Sequence, residues 1–199
     1  MAQKSLKNNS QMTRLQHFEE PLDYTFMCLT TIGDCLEEES RNHNFKKMKP
    51  SAGSKGHEII KKRTNAIRLS NNVLIDWKDF LNTVSKLVES LHHIEWIDLS
   101  FNDISNIDKC VLEFRNLKIL YLHGNNIEKI SEVDKLSSLE HLRSLTLHGN
   151  PIEDCNPSYR HYVLFRLPNL KCFDFSGVTE SDLANSRVYC RSKKKGKET

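Results

Sequence analysis

The sequence predicts an α/β fold, a solenoid with a parallel sheet on its concave side and short helices on its convex side. Two observations lead to this fold class. The segment 117–127, LKILYLHGNNI, has leucine or isoleucine at its first, fourth, sixth and eleventh positions and asparagine at its ninth. Copies of this spacing recur along the chain. The aligned asparagines are 30, 23 and 25 residues apart: Asn72, Asn102, Asn125 and Asn150.

The spacing is that of a leucine-rich repeat, and about five copies align between residues 64 and 178. The first is degenerate because Thr64 replaces its first leucine. The fifth has Phe175 at an inward leucine position and Val178 where asparagine is expected. Alternation of apolar and free positions predicts a short strand with its leucines in the core. We expect the asparagine amide to bond backbone groups of its turn and of the neighbouring repeat. A fifth repeat without asparagine then fits, since no further repeat follows it.

The convex side is predicted from the residues that lengthen two of the repeats. Residues 76–91 carry an apolar stripe at helical spacing, and Asp76 and Asp79 are placed like a capping box, which predicts a full helix. Leucine recurs at every third position from Leu136 to Leu145, which predicts a turn of 3₁₀ helix.

We divide the chain into an N-terminal arm (1–63), the repeats (64–178), and the end of a helical C-terminal cap with a basic tail (179–199). Residues 1–18 are polar, and we expect them to be disordered alone. Apolar residues at steps of three and four from Pro21 to Leu36 predict one short amphipathic helix. This helix either covers the open edge of the sheet or docks a partner. Residues 46–56 read as a flexible basic linker.

Composition narrows the cellular setting. The net charge of +3 does not indicate a dedicated nucleic-acid binder, and the six cysteines form no C-x-x-C pair. No leader peptide and no apolar run near the ~20 residues of a membrane helix is evident. We therefore expect free thiols in a soluble, intracellular chain, although a disulfide framework stays open.

The residues after the fourth repeat form a recognisable cap. They include Asn150-Pro151-Ile152, Tyr159-Arg160 and Leu167-Pro168-Asn169-Leu170. From about residue 64 to 185 the chain resembles the short-repeat class of leucine-rich-repeat proteins with a C-terminal cap. That class includes the regulatory subunit of phosphatase one, the spliceosomal U2 A-prime protein and the axonemal dynein light chain.

The residues of the cap themselves predict two helices. One begins at Asn156-Pro157 and covers the last repeat, and a second spans residues 179–187. The whole chain, including PLDYTF at 21–26, also resembles one small member of the class. This resemblance implies a cytoplasmic, non-enzymatic protein of ciliated cells and an axonemal component.

No catalytic constellation is evident, because the chain lacks a phosphate-binding loop and a nucleophile elbow. Cys155 and His161 both belong to the cap. His123 and His148 occupy the same position of adjacent repeats, about 4.8 Å apart, which is either half a zinc site or two solvated histidines beside a binding surface. The same position one repeat further out on either side is Ser100 or Ser176, so a zinc ion would lack two ligands. This favours the second interpretation. We expect no enzymatic activity, no cofactor and no metal ion.

The concave face is the predicted binding surface, because its side chains occupy the positions that the repeat pattern leaves free. Five strands at about 4.8 Å give roughly 20 Å, enough for a helix or loop of another protein. Trp96, Ile119 and Tyr121 form the best anchor cluster, unless they pack under the N-terminal arm. The candidate partner-binding residues are Arg68, Trp96, Asp98, Ile119, Tyr121, His123, Thr146, His148 and Asp174.

The function that we expect is that of a protein-binding adaptor or a structural component of a larger assembly in the cytoplasm, at the ciliary axoneme. Tubulin or axonemal components are the candidate partners, through the concave face and the basic tail 191–197. If the tail does not bind these partners, it is a solvated end or a nuclear-import patch. Nucleic acid is not favoured, since no aromatic residues interleave the lysines, and neither a membrane nor a small-molecule substrate is expected. Two alternatives stay open: a regulatory subunit of an enzyme such as a protein phosphatase, and a nuclear ribonucleoprotein component.

Overall fold

The computed structural model describes residues 19–42 and 61–195, with side chains to residue 189. The expectations for residues 1–18, for the linker 46–56 and for the side chains of the tail lie outside these residues. Within the described residues, no helix is long and apolar enough to cross a membrane. The five cysteines that are described are free.

The sheet confirms the predicted solenoid. Seven strands lie side by side in chain order, the first six parallel and the last antiparallel to its neighbour. Their central residues form one row in which Ile67, Ile97, Leu120, Leu145 and Phe173 are all buried. The strands are β1 (Leu22–Asp23), β2 (Ala66–Arg68), β3 (Trp96–Asp98), β4 (Ile119–Tyr121), β5 (Ser144–Thr146), β6 (Cys172–Phe173) and β7 (Ser176–Gly177).

The segments outside the strands contain several short helices and one longer helix after the last strand. Four are 3₁₀ helices: Ile32–Leu36, Leu91–His93, Lys109–Glu113 and Ile130–Ser138. Four are α-helices: α1 (Phe80–Leu87), α2 (Pro151–Asp154), α3 (Tyr159–Arg166) and α4 (Glu180–Lys195). The cap therefore contains the two predicted helices, and the second is longer than expected because it continues through residue 195.

Two details of the convex side differ from expectation. The helix within 76–91 begins only at Phe80, and the predicted capping box is absent because Asp79 has a left-handed backbone (φ 59°) and no side-chain cap. The 3₁₀ helix is assigned to Ile130–Ser138, earlier than predicted. The three-residue periodicity still has a cause, since Leu139 N and Leu142 N donate to carbonyls three residues back at 3.0 and 3.2 Å.

The repeat asparagines hold neighbouring repeats together. Asn125 Nδ2 donates to Leu99 O (2.9 Å) and Leu122 O (3.0 Å), and its Oδ1 accepts from Ile104 N (3.0 Å). Asn102 and Asn150 repeat this arrangement. The amide thus bonds the preceding repeat, not the following one. Our expectation that a terminal repeat has no neighbour for this asparagine is therefore wrong.

The helix predicted from Pro21 is wrong over its first half. Leu22–Asp23 form β1, Tyr24 N donates to Arg68 O at 2.8 Å, and helical backbone appears only at Ile32–Leu36. The edge of β2 offers unpaired backbone groups, and pairing with them outweighs a helical spacing already weakened by two threonines and a glycine. The segment therefore covers the sheet edge, the first of the two expected roles, as a strand. The division of the chain at residues 63 and 178 stays a prediction.

Candidate functional site

The strand register brings most of the predicted binding residues into adjacent rows on one face of the sheet. Trp96 and Ile119 share one row with Ser144 and Cys172. The next row contains Arg68, Asp98, Tyr121 and Thr146. His123 and His148 follow two residues beyond the second row, at the carboxyl ends of β4 and β5.

Charged side chains occupy the N-terminal part of this face. Arg68 lies 3.0 Å from Asp23 and 4.0 Å from Asp98, and its guanidinium stacks over the Trp96 ring at 5.8 Å. Asp98 is only 6% exposed, and its Oδ1 accepts from the backbone and hydroxyl of Ser100 at 3.1 and 2.6 Å. The arginine therefore lies over the tryptophan between two carboxylates, which restricts its position on this face.

An aromatic band crosses the centre of the face. The Trp96 and Tyr121 rings meet edge to face with centroids 6.0 Å apart, and Tyr121 meets Phe175 in the same way at 5.4 Å. Trp96 and Tyr121 are partly exposed, and burial raises the pKa of the Tyr121 hydroxyl above its ordinary value. Rings in mutual edge-to-face contact are held rigid, so they can contact a partner with little loss of side-chain entropy.

The two histidines are stacked, with centroids 4.7 Å apart and rings 9° from parallel. His123 Nδ1 lies 2.8 Å from Thr146 Oγ1, and His148 Nδ1 lies 3.3 Å from Asp174 Oδ1. Burial first, and then the neighbouring His148, lower the pKa of His123 below its ordinary value. His123 is only 9% exposed, so it is not the solvated histidine that we expected. The described residues contain no group of three or more side chains suited to a metal ion.

The structure changes the interpretation of two predicted binding residues, Thr146 and Asp174. Thr146 is 0% exposed, so its side chain cannot reach a partner. Asp174 has both carboxylate oxygens engaged, because Oδ1 accepts from Leu147 N (2.7 Å) and His148 N (3.0 Å) and Oδ2 accepts from Tyr159 OH (2.9 Å). In the repeat before, the equivalent Leu122 N donates to a backbone carbonyl of the next strand. The Asp174 side chain thus accepts the hydrogen bond that a backbone carbonyl at the same register position accepts in the repeat before.

Two exposed phenylalanines belong to the site and were not predicted there. Phe175 was placed at a core position of the fifth repeat, yet it is 59% exposed. Left-handed backbone at Asp174 and Phe175 (φ 50° and 57°) reverses the chain into the antiparallel β7, which also removes Ser176 from the concave row. Phe101 is 53% exposed and meets the His123 ring at 5.0 Å. The sequence signal that could have identified Phe101 as an exposed turn residue was its position directly before Asn102, where two other repeats have glycine.

A groove of about 390 Å³ lies beside the tryptophan, at the amino ends of the strands. Residues 19–21 border it on one side, and residues 95–96 and 118–119 border it on the other. Lys118 and Glu95 form an ion pair across its rim at 2.7 Å. The described part of the N-terminal arm therefore flanks Trp96 and leaves it partly exposed.

Comparison with known proteins assigns the family. The leucine-rich repeat family model matches residues 75–199. Leucine-rich repeat-containing protein 51 of Bos taurus is 45% identical over 185 residues, which cover 93% of this chain and 91% of the relative. The chain belongs to the leucine-rich repeat-containing protein 51 family. The Homo sapiens member of that family is also 45% identical, over 87% of this chain and 86% of its own.

More distant similarity extends to a small nuclear ribonucleoprotein component. A probable U2 small nuclear ribonucleoprotein A' of Drosophila melanogaster is 27% identical over 133 residues, which cover 55% of this chain and 50% of the relative. The solved Drosophila melanogaster SNF/U2A' complex contains a chain with a TM-score of 0.58 and 24% identity, over 72% of this chain and 84% of that one. This second likeness supports the leucine-rich-repeat fold.

Proposed function

We propose that this chain is a non-enzymatic adaptor or structural component that binds another protein through its concave face. The observation that carries the proposal is the aromatic band of Trp96, Tyr121 and Phe175, whose rings contact one another and stay partly exposed. Tryptophan and tyrosine are the residue types most enriched among interface anchors.

The surroundings of the band favour a protein partner of limited width. Six parallel strands at about 4.8 Å span roughly 24 Å, which accommodates an α-helix of about 10 to 12 Å diameter. Arg68 offers a fixed cation at one end of the band, and the groove beside Trp96 can accept one large apolar side chain. A helix or loop with an apolar anchor and a nearby carboxylate fits this arrangement.

The proposed cellular setting is the cytoplasm and the ciliary axoneme, with tubulin or axonemal components as partners and the basic tail as a second contact. It rests on the resemblance of the whole chain to its small relative. A nuclear ribonucleoprotein component is the second candidate. It is favoured by the 27% identity to the Drosophila U2 small nuclear ribonucleoprotein A'.

The test compares two paired variants in ciliated cells by cross-linking and mass spectrometry. Trp96→Ala with Tyr121→Ala removes the anchors. His92→Ala with His93→Ala removes two exposed rings from the convex side as the matched control. We expect the first pair to lower the yield of the main cross-linked partner at least about tenfold and the second to leave it unchanged. Circular dichroism should be the same for both.

Other outcomes would redirect the proposal. An unchanged partner yield in the Trp96 and Tyr121 variant would place the binding site outside the concave face. Loss of the partner after ribonuclease treatment would support the nuclear candidate. A phosphatase catalytic subunit as the main partner would instead indicate an enzyme-regulating role.

A further inference from the structure

Exposed apolar side chains concentrate at one edge of the solenoid. Among residues whose side chains are described, every exposed large apolar residue except Val188 lies in a turn at the carboxyl end of a strand. We name these turns the carboxyl edge. Its exposed apolar residues are Phe26, Val73, Ile75, Phe101 and Phe175, with exposed fractions of 62, 47, 63, 53 and 59%.

The repeats themselves provide an internal comparison for two of these phenylalanines. The residue before the asparagine position has left-handed backbone in successive repeats, with φ between 53° and 68°. Glycine and asparagine adopt this conformation most readily, whereas a bulky side chain is strained in it. This chain places phenylalanine there twice. The equivalent residues in order are Phe26, Asn71, Phe101, Gly124 and Gly149.

Phe101 is held in place without being buried. Its ring lies over Gly124, where an added Cβ would come within 2.6 Å of the ring, and its edge meets His123 at 5.0 Å. Strained backbone and a large exposed apolar ring are both unfavourable in the isolated protein. Phe26, at the equivalent turn position, has the same left-handed backbone and an exposed ring. We take this recurrence as the mark of a surface that another molecule covers.

The charges of the carboxyl edge indicate the chemistry of the molecule that would cover it. One cation reaches the edge at Phe26, where the guanidinium of Arg41 donates to Phe26 O at 2.9 Å. The four turn segments 69–76, 99–106, 122–129 and 147–154 contain a single lysine, Lys129, and no arginine. They contain five carboxylates: Asp76, Asp103, Glu128, Glu153 and Asp154. Within the described residues none of these five carboxylates forms an ion pair, although Asp76 and Glu153 accept from the backbone N–H groups of Lys78 and Gly149. An apolar surface with this surplus of carboxylates complements a partner with basic and apolar residues.

We propose that the carboxyl edge is a second docking surface, which binds a basic segment of another protein. Apolar side chains of that segment contact Phe26 and Phe101, and its lysines or arginines face Asp103 and Glu128. The inference goes beyond the proposed function because Phe26, Phe101 and the carboxylates lie in turns and are not part of the aromatic band, although Phe175 belongs to both surfaces.

The experiment measures fluorescence anisotropy of labelled peptides of about 15 residues with the full chain. One peptide combines lysine with leucine, a second replaces each lysine by glutamate, and a third replaces each leucine by serine. Only the first should bind. Phe26→Asn with Phe101→Asn should weaken it at least about tenfold. The midpoint of thermal unfolding should be unchanged or higher, because asparagine occupies the equivalent turn at Asn71.

Control variants separate the surfaces. Val188→Asn removes an exposed apolar residue outside the edge and should leave the affinity unchanged. Asp103→Asn with Glu128→Gln should weaken binding and reduce its salt dependence. Trp96→Ala with Tyr121→Ala should retain peptide binding, so this proposal and the concave-face proposal can fail separately.

Three results would overturn the inference. The first is unchanged affinity in the Phe26 and Phe101 variant. The second is equal binding of the lysine–serine peptide, which would show charge attraction alone. The third is a dimer in sedimentation that the phenylalanine variant abolishes, which would make a second copy of this chain the occupant of the edge.

Discussion

The middle repeats and the C-terminal end of the sheet bond backbone groups of the preceding repeat through different side chains, whereas the N-terminal end uses the same asparagine as the middle repeats. In the middle, Asn102 and Asn125 each bond a carbonyl and an N–H group of the preceding repeat. At the C-terminal end, Asp174 Oδ1 accepts from Leu147 N and His148 N of the preceding repeat. At the N-terminal end, Asn72 accepts from Met27 N and Leu29 N, so a segment without consensus residues serves as the first repeat.

The difference teaches where the information for this fold lies. A middle repeat is stabilised by a neighbour on each side, so consensus leucines and one asparagine are sufficient. An end has one neighbour only, and the groups that face outward need partners that no consensus supplies. The ends therefore carry side chains particular to this chain, among them Tyr24, whose buried hydroxyl donates to Cys35 O at 3.1 Å.

The largest expected effect is in the middle of the sheet. Leu120 is 0% exposed, and Leu120→Ala should lower the free energy of unfolding by about 2 to 5 kcal/mol because it opens a core cavity between two rigid neighbours. Leu22→Ala, at the end strand, should cost less, since one side of that site can relax. Urea unfolding measures both. A larger loss at Leu22 would contradict the contrast between middle and ends.

The next effect concerns the Asp174 side chain, which accepts from backbone N–H groups at the C-terminal end of the sheet. Asp174→Ala should lower the free energy of unfolding by about 1 to 3 kcal/mol, because the half-buried acceptor of two N–H groups and of the Tyr159 hydroxyl is removed. Asp174→Asn retains one acceptor oxygen and should cost less. If Asp174→Ala were neutral in the same urea titration, the carboxylate would not close the sheet.

The smallest effect is a pH dependence at His123, where the middle repeats meet the C-terminal end. Burial, and then His148, hold its pKa below the ordinary value of 6.5. As the pH falls, the unfolded chain therefore binds this proton first. The stability contributed by neutral His123 is present above about pH 6.5 and is lost as the pH falls through the folded-state pKa.

The measurement compares wild type with His123→Asn in urea at pH values between about 5 and 8. Wild type should lose more stability than the variant as the pH is lowered, because asparagine does not titrate. Parallel pH profiles for the two proteins would show that His123 is not protected from protonation in the folded state.

Much of the scaffold could be predicted because it depends on local spacing. The consensus positions from Leu117 to Ile127 predicted a strand, a turn and the buried leucines, and the structure confirms the parallel sheet. The segment from Pro21 was predicted as a helix because its apolar residues recur at helical steps, and pairing with β2 overrode that preference. Phe175 was predicted in the core because it stands at a consensus position, and two left-handed residues turned it outward.

The binding residues divide in a similar way. Alternation along each strand correctly placed Trp96, Ile119 and Tyr121 in adjacent rows of one face. It did not indicate that Thr146 would be fully buried or that the carboxylate of Asp174 would be occupied, because both depend on groups more than ten residues away. Whether these residues bind a partner stays a prediction.

The sequence by itself determined that the chain is a leucine-rich-repeat solenoid, and it identified most of the core residues and most of the strand positions that are free for binding. These follow from the periodic burial of apolar side chains, because the same apolar spacing recurs in every repeat. Only the tertiary structure decided how the sheet ends, where the exposed phenylalanines lie and which polar groups are already paired. Those outcomes depend on contacts between segments distant in the chain, which residue spacing does not encode.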